Sequence, residues 1–394
     1  MKIAAAQSRA GTAQRAIQDI MRAILAQGCP APDFVAVHFG IGCDGVAVAG
    51  AARAAFGTAA LHGGSSCLGV MTRDGVVIGD GAGVGALAIW DADGSYGTAS
   101  ADMGHDAFDA ARRATGAALA AAGRAGEIPD MVWLTAAPGR EEQVIDGIRC
   151  IVGPGALIVG GSAADNDVGG RWCQFGPQES HGDGVVVSVL FPSVPIASTY
   201  QSGYAPTGEG GVVTRAAGRR LFEIDGQPAA RVYHHWTGGA VPMAAEAPAS
   251  VLAAATLWPL GRVTRRIAGV PFHLLAHPAM SNPDGSLDLF ADLAEGDRLW
   301  QMRGSTDSLV SRAGRIARQA HDDIGGAVAG ALVVYCGGCM LAVQDRMEEV
   351  RAGIAEALGD APWLGIFTFG EQGVPAGGDP THGNLMISCT AFGR

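Results

Sequence analysis

Apolar residues fall into two alternating rhythms along the chain. Short unbroken runs such as 34–39 (FVAVHF), 131–135 (MVWLT) and 331–335 (ALVVY) have the length and make-up of strands buried on both faces. Between them, segments 14–27, 45–56, 107–122, 140–149, 308–324 and 342–358 place apolar side chains three and four apart, the period of a helix with one buried face.

These segments repeat. A helix, an apolar strand, a second helix and a strand running into a small-residue turn occur in two clear copies and a weaker third. The first ends, through strand 59–61, at Gly63-Gly64-Ser65-Ser66-Cys67. The second ends, through 156–159, at Gly160-Gly161-Ser162-Ala163-Ala164-Asp165, and the third, through 364–369, at Gly370-Glu371-Gln372-Gly373. A further apolar strand follows each turn, at 83–90, 184–191 and 384–392. Strands alternating with helices predict an α/β fold with helix-covered sheets. Ligands in such folds favour the carboxyl ends of strands, where all three turns sit. Units packed around a common axis would bring the turns into one glycine-lined cleft, although a tight strand exit also accounts for any single turn.

Between the second and third copies the pattern changes. Residues 212–236 read as two strands joined by a Gly-Arg turn, then a helix opened by Pro228. Residues 260–303 read as a β-meander turning at Asn282-Pro283-Asp284-Gly285. The apolar pattern breaks over 198–209, which places one domain at 1–200, with two units, and another at 201–394, with an inserted α+β segment and the third unit.

Composition narrows the function classes. The chain has 394 residues and 48% hydrophobic content, enough for a large core divided into two or three units. Acidic residues outnumber basic ones, 38 to 27, for a formal charge of −11, and the single lysine is Lys2. Schiff-base, P-loop and Ser-Lys chemistries are thereby removed, and an acidic chain without a basic stripe repels a nucleic-acid backbone. The N-terminus lacks a signal-peptide pattern, and no apolar run approaches the roughly 20 residues that span a bilayer, so a cytoplasmic protein without membrane insertion is expected. The cysteines (Cys29, Cys43, Cys67, Cys150, Cys173, Cys336, Cys339 and Cys389) are scattered, and are expected reduced.

The motifs and their order resemble the FIST family, which has an N-terminal and a C-terminal segment. The N-terminal likeness rests on Gly63 to Cys67 and on Gly160 to Asn166. The C-terminal likeness rests on Gly203-Tyr204-Ala205-Pro206-Thr207, the run from Glu223 to Ala229, the stretch from Val334 to Cys339, Asp345-Arg346 with Glu348-Glu349, the run from Phe367 to Glu371, and His382-Gly383-Asn384. The resemblance implies a sensory domain for small ligands, with amino acids proposed. Some members resemble haem-binding nitric-oxide sensors that act on a partner histidine kinase. The chain departs from the pattern at Cys339, where similar proteins carry arginine, and at Gly383, which splits their usual His-Asn pair.

Three readings follow. The first is a sensory protein that binds a small polar ligand and passes the signal to a separate protein partner, needing no cofactor. Its candidate ligand-binding residues are Gly64, Ser65, Ser66, Cys67, Gly161, Ser162, Asp165, Asn166, His181, Cys336, Glu371, His382 and Asn384. His181-Gly182-Asp183 and His382-Gly383-Asn384 hold the same place in their copies, where Gly79-Asp80-Gly81 stands in the first, so a shared turn-capping role competes with ligand contact. The second reading is a haem-bound nitric-oxide sensor, with His234 or His235 as axial ligand. Histidines ending a helix also suit a solvent-facing position, and His38 on its strand reads as a core histidine. The third is a cysteine-dependent hydrolase or transferase acting on a small carbonyl or amide compound, with Cys336 or Cys67 as nucleophile and His382, His181 or Glu371 as base. In this reading Cys336-Gly337-Gly338-Cys339 opens a helix whose N-terminus lowers a thiol pKa. A buried pair lining a turn explains the same motif, and no second C-x-x-C completes a zinc site.

Overall fold

Phe34 and Ala36 pack in one apolar cluster while Val35, Val37 and Phe39 pack in another, so residues 34–39 are buried on both faces of a sheet. The computed structural model describes residues 1–28, 31–79, 82–267 and 269–394. Cys29 and the Asp80-Gly81 pair lie outside them.

The chain opens with β1 (Lys2–Ser8), α1 (Ala13–Ala26), β2 (Phe34–Phe39), α2 (Gly45–Phe56), β3 (Ala60–Ser65), the hairpin β4 (Val70–Thr72) and β5 (Gly75–Val77), and β6 (Val84–Trp90). The next unit has β7 (Ser95–Asp102), α3 (Ala107–Ala121), β8 (Met131–Ala136), α4 (Glu141–Val152), β9 (Ile158–Ser162), the hairpin β10 (Gln174–Phe175) and β11 (Ser180–His181), and β12 (Gly184–Phe191). β13 (Ile196–Ser202) leads into an inserted segment. This contains β14 (Ala205–Ala217), β15 (Arg220–Ile224), β16 (Gln227–Pro228), α5 (Ala229–Trp236), β17 (Ala249–Ser250) and α6 (Leu252–Ala255). It continues through β18 (Leu260–Ile267), β19 (Val270–Ala276), β20 (Pro278–Ser281), β21 (Leu287–Leu289) and β22 (Arg298–Arg303). The chain closes with α7 (Thr306–Ile324), β23 (Val328–Cys336), α8 (Gly337–Ala342), α9 (Met347–Leu358), β24 (Trp363–Thr368), the hairpin β25 (Glu371–Gly373) and β26 (Thr381–Gly383), and β27 (Met386–Gly393).

Three six-stranded sheets have matching connections: β1-β6-β2-β3-β10-β11, β7-β12-β8-β9-β25-β26 and β13-β27-β23-β24-β4-β5. In each, only the two central strands, β2 and β3, β8 and β9, or β23 and β24, run parallel. The last two strands of every sheet are a hairpin from another part of the chain. Hairpin β4-β5 completes the third sheet, β10-β11 the first and β25-β26 the second. The inner faces meet in one central cluster that includes Phe34, Leu87, Trp133, Leu190, Leu332 and Phe392.

Helices cover the outer faces. On α1, Ala13, Ala16, Ile17, Ile20 and Ile24 form the buried stripe, and Thr12 caps the first turn by accepting from the Arg15 amide. Each buried isoleucine contributes about 2 kcal/mol through the apolar area it removes from water. A Ser305–Ser308 capping box starts α7, and Gly325, left-handed at φ 67°, ends it. The insertion forms a nine-stranded sheet with its own core around Tyr233, Leu221, Leu260 and Leu299, packed by α5 and α6.

The α/β class expected from the apolar rhythm is the one observed. Four local expectations change. The leading strands β1 and β7 escape the pattern, because Lys2–Ser8 and Ser95–Asp102 are rich in alanine, serine and glycine. Residues 198–209, read as a break, lie largely in β13 and β14. The helix expected over 342–358 is divided, because Val343, β-branched and buried, leaves helical geometry at φ −129° and ψ 26°. Finally, Gly63, Gly64, Gly160 and Gly161 belong to β3 and β9 themselves, so the first two turns begin after them.

Candidate functional site

The three turns meet. The Cys67 amide donates to Phe367 O (2.9 Å) and the Ala164 amide to Ser65 O (3.1 Å). The Ser162 amide donates to Gly370 O (2.8 Å), and the Phe369 amide returns a bond to Ser162 O (3.2 Å). Ser66 Oγ accepts from the Phe367 amide at 2.8 Å and donates to Gly69 O. Asn166 Oδ1 accepts from the Leu68 amide at 3.0 Å.

The strand glycines make this approach possible. A Cβ on Gly63 would lie 2.1 Å from the Phe175 ring, on Gly64 2.6 Å from Thr135, on Gly161 2.2 Å from Thr368, and on Gly370 2.4 Å from His382. The first three contacts are with an element of another unit and the fourth is with the third unit's own β26, so the glycines admit neighbouring side chains to the joined turns.

Beside the joined turns, at the carboxyl ends of β23 and β24, lies a cavity of about 320 Å³. Cys336, Gly338, Leu341 and Ala342 form one wall, and Thr368, Phe369 and Asn384 form the floor. Asn166, Asp167 and Val168 reach in from the second unit. The insertion supplies the opposite wall, with Ser250, Leu252, Ala253, Thr256, His277 and Phe290. Asn384 fastens that wall to the core. Its Oδ1 accepts from the His277 amide (3.0 Å), its own amide donates to Leu275 O (3.1 Å), and its Nδ2 reaches Phe290 O (3.4 Å). His382 Nε2 bonds the same Phe290 carbonyl at 3.0 Å.

Backbone geometry is unusual around this cavity. Leu68, Val168 and Leu385 have positive φ, at 58°, 59° and 56°. For side-chain-bearing residues, above all β-branched valine, this costs about 1–2 kcal/mol each and has to be held by the surroundings.

Two of the cavity's titratable side chains, His277 and Cys336, are held uncharged. Burial lowers His277 to about 4, against a hydrogen bond to Leu252 O that favours its charged form. Burial, and then neighbouring Cys339, push the Cys336 thiol well above its ordinary range, outweighing the Gly338 and Cys339 amides that point at it. Behind the floor, burial and Cys336 raise the Glu371 carboxyl well above the carboxylate range, although Met386 N–H and Thr368 Oγ1 donate to it.

A second cluster lies behind His382. Ligand atoms of Glu141, Glu142 and His382 fall within 4.8 Å of one another, the spacing of a metal site. Arg219 Nη2 stands between the two carboxylates, however, at 2.6 Å from Glu141 and 2.7 Å from Glu142. Burial works against the Glu141 charge, but His382 and Arg219, with hydrogen bonds from Ser162 and Arg219, hold its pKa at about 2.

The sequence model of the FIST N domain matches residues 33–227, and that of the FIST C domain matches residues 229–374. The chain belongs to the FIST family. FIST domains are small-ligand sensory domains, and a ligand-binding role follows. No curated protein matches in sequence. Among solved structures, a cyanuric acid hydrolase from A. caulinodans is 11% identical, with 100% of this chain and 99% of that one covered and a TM-score of 0.37. Another structure, described as cyanuric acid hydrolase with evolutionary innovation by structural concatenation, is 11% identical with both chains fully covered (100%) and a TM-score of 0.39.

In this FIST chain, three of the residues singled out from sequence line the cavity: Asn166, Cys336 and Asn384. Cys67 lies directly behind, where its Cβ would be 3.2 Å from one placed on Gly337. Ser162, Glu371 and His382 support the floor through hydrogen bonds, Ser162 by accepting from the Phe369 amide at 3.2 Å while its Oγ donates to Glu141 at 2.6 Å. Gly64, Ser65, Ser66 and Gly161 hold the turns together. Asp165 accepts from the Asp167 and Arg171 amides and so shapes the loop that carries Asn166. His181 stands apart, bonded to Ser100 Oγ at 3.1 Å.

The reactive-thiol expectation is corrected, since burial outweighs the short α8 terminus and raises the pKa of Cys336. Burial, Cys336 and Asp165 likewise bring Cys67 up to about 12. Among the described residues no hydrogen bond joins either thiol to His382 or His181. Neither His234 nor His235 borders the cavity. His234 Nδ1 is bonded to Val241 O at 2.7 Å and His235 is exposed, so a haem on either would stand outside it. Glycine contributes only Gly338 to the lining.

Sequence reasoning missed the insertion's wall. His277 and Phe290 fall within the expected meander, but no repeat-equivalent position marks them. Leu252, Ala253 and Thr256 belong to an alanine-rich stretch with no polar cue.

Proposed function

We propose that this FIST protein is a sensory protein that binds a small molecule in the cavity between the joined turns and the insertion, and hands the signal to a separate protein. The observation that carries this reading is the cavity itself. Its volume of about 320 Å³ suits a compact ligand, it stands at strand carboxyl ends, and its walls come from three parts of the chain. A ligand seated there touches the insertion and the core together, so occupancy favours one arrangement of the two walls. Strained Val168 at the rim is consistent with a functional loop.

The test is a thermal-shift and calorimetric screen of small molecules against the full chain, repeated on Ala342→Trp, which fills the cavity. Ligand at a hundredfold excess over Kd is expected to stabilise the native protein by about 2.7 kcal/mol, and the variant should lose that response. A screen without any shift, or shifts that survive in Ala342→Trp, would remove the reading.

A further inference from the structure

Resting on that reading, we infer that the cavity takes an uncharged, largely apolar molecule with one N–H or O–H donor, and turns away carboxylates and phosphates.

The lining carries the first part of the case. The Phe290 and Phe369 rings with Leu252 and Leu341 offer flat and aliphatic surface to an apolar body.

Charge carries the second. Among the described residues no lysine or arginine lines the cavity, and the one ionic side chain there, Asp167, is exposed and paired with Arg171 at 2.7 Å. An anion entering would give up water without gaining a cation. A free amino acid needs partners for both of its charged ends and falls on the excluded side.

Hydrogen bonding carries the third. The His277 ring is only 3% exposed, and its Nε2 donates to Leu252 O at 3.0 Å. This assigns the neutral tautomer, with Nδ1 as acceptor. Nδ1 has no hydrogen-bond partner among the described residues, and a ligand N–H or O–H would satisfy it. The two lining threonine hydroxyls are already engaged, Thr368 Oγ1 with Glu371 at 2.7 Å and Thr256 Oγ1 with Leu252 O at 3.0 Å.

Matched pairs test this by calorimetry on the full chain at pH 7.5: benzamide with benzoate, and hexanamide with hexanoate. N,N-dimethylbenzamide serves as an amide without a donor. Gly338→Leu is the blocked control, because a Cβ at Gly338 meets nothing closer than Leu385 at 3.4 Å and its bulk then points at His277 and Cys336. Should that variant not fold, Leu341→Trp at the exposed rim replaces it. Each amide is expected to bind at least about tenfold more tightly than its acid, and benzamide about tenfold more tightly than its dimethyl form. All binding should vanish in the blocked protein. Acids that bind as well as their amides and are lost on blocking overturn the ligand class and leave the cavity as the binding site. Equal affinity for the dimethyl amide overturns the donor. Failure of every probe to bind, or binding unaffected by blocking, overturns the binding site and the inference together.

Discussion

Arg219, at the turn between β14 and β15, places Nη2 2.6 Å from Glu141, a carboxylate that is 1% exposed at the start of α4. The same guanidinium holds Glu142 at 2.7 Å and approaches Asp292 at 3.4 Å, so one cation anchors the insertion to the second unit. Replacing it with Arg219→Met leaves Glu141 buried, with Ser162 and the Gly139 amide as its remaining donors. The expected loss is about 3 kcal/mol in urea unfolding, because removing one member of a buried pair strands the other. Adding Glu141→Gln should recover part of it, and a double-mutant cycle without coupling would argue against the latch.

At Gly160 there is no room for a side chain. A Cβ would lie 1.9 Å from Leu134 O, a backbone atom in the neighbouring strand that cannot step aside. Gly160→Ala is expected to cost about 3 kcal/mol by forced overpacking, read as a lower Tm. Gly155→Ala, where nothing lies within 4 Å, is the control and should change little.

Acid should weaken the fold through its buried histidines. His38 and His277 are both lowered by burial to about 4, whereas an unfolded histidine titrates near 6.5. Between these values the unfolded chain takes up protons that the native state refuses, so stability falls as pH drops from 7 to 5. The expected loss is about 2 kcal/mol for each histidine. Glu141, held at about 2 against an ordinary value of 4.5, contributes stability that is complete above pH 4.5 and lost only below it. Urea unfolding at pH 7 and pH 5 reads the slope, and His277→Gln should flatten it by the share of one histidine.

Alkylation should follow exposure. Cys150 is exposed, while Cys67, Cys336 and Cys389 are buried, with Cys67 and Cys389 each pushed up to about 12. Iodoacetamide at pH 7.5 is expected to modify Cys150 first and these three at least a hundredfold more slowly, since the thiolate is the reacting form. Mass spectrometry that finds Cys336 labelled early would reopen the nucleophile reading.

Much of this architecture was legible because its strands are buried twice over. Runs such as residues 34–39 and 131–135 stand out as apolar without alternation, and their helices carry stripes and caps. The leading strands were not legible, since alanine and serine at 95–102 carry no periodic signal. Within the site, Asn384 could be found through the equivalence of the repeated His-Gly motifs, Cys336 through its C-x-x-C motif, and Asn166 through the family likeness of the stretch from Gly160. His277 and Phe290 could not, because the insertion occurs once and its pairing with Asn384 joins positions more than ninety residues apart.

The exchange of hairpins also sets an order of events during synthesis. The hairpin Val70–Val77 finds its partner strand only when Leu364–Ile366 has been made. At ribosomal speeds of about 5–20 residues per second, that interval is roughly 15 to 60 s. Meanwhile the edge of β4 is a nascent-chain surface open to holdase chaperones and to other copies on the same polysome. Closure of the third sheet thus waits on residues 364–366, which makes the pairing of β4 with β24 the step that ties the first unit to the third.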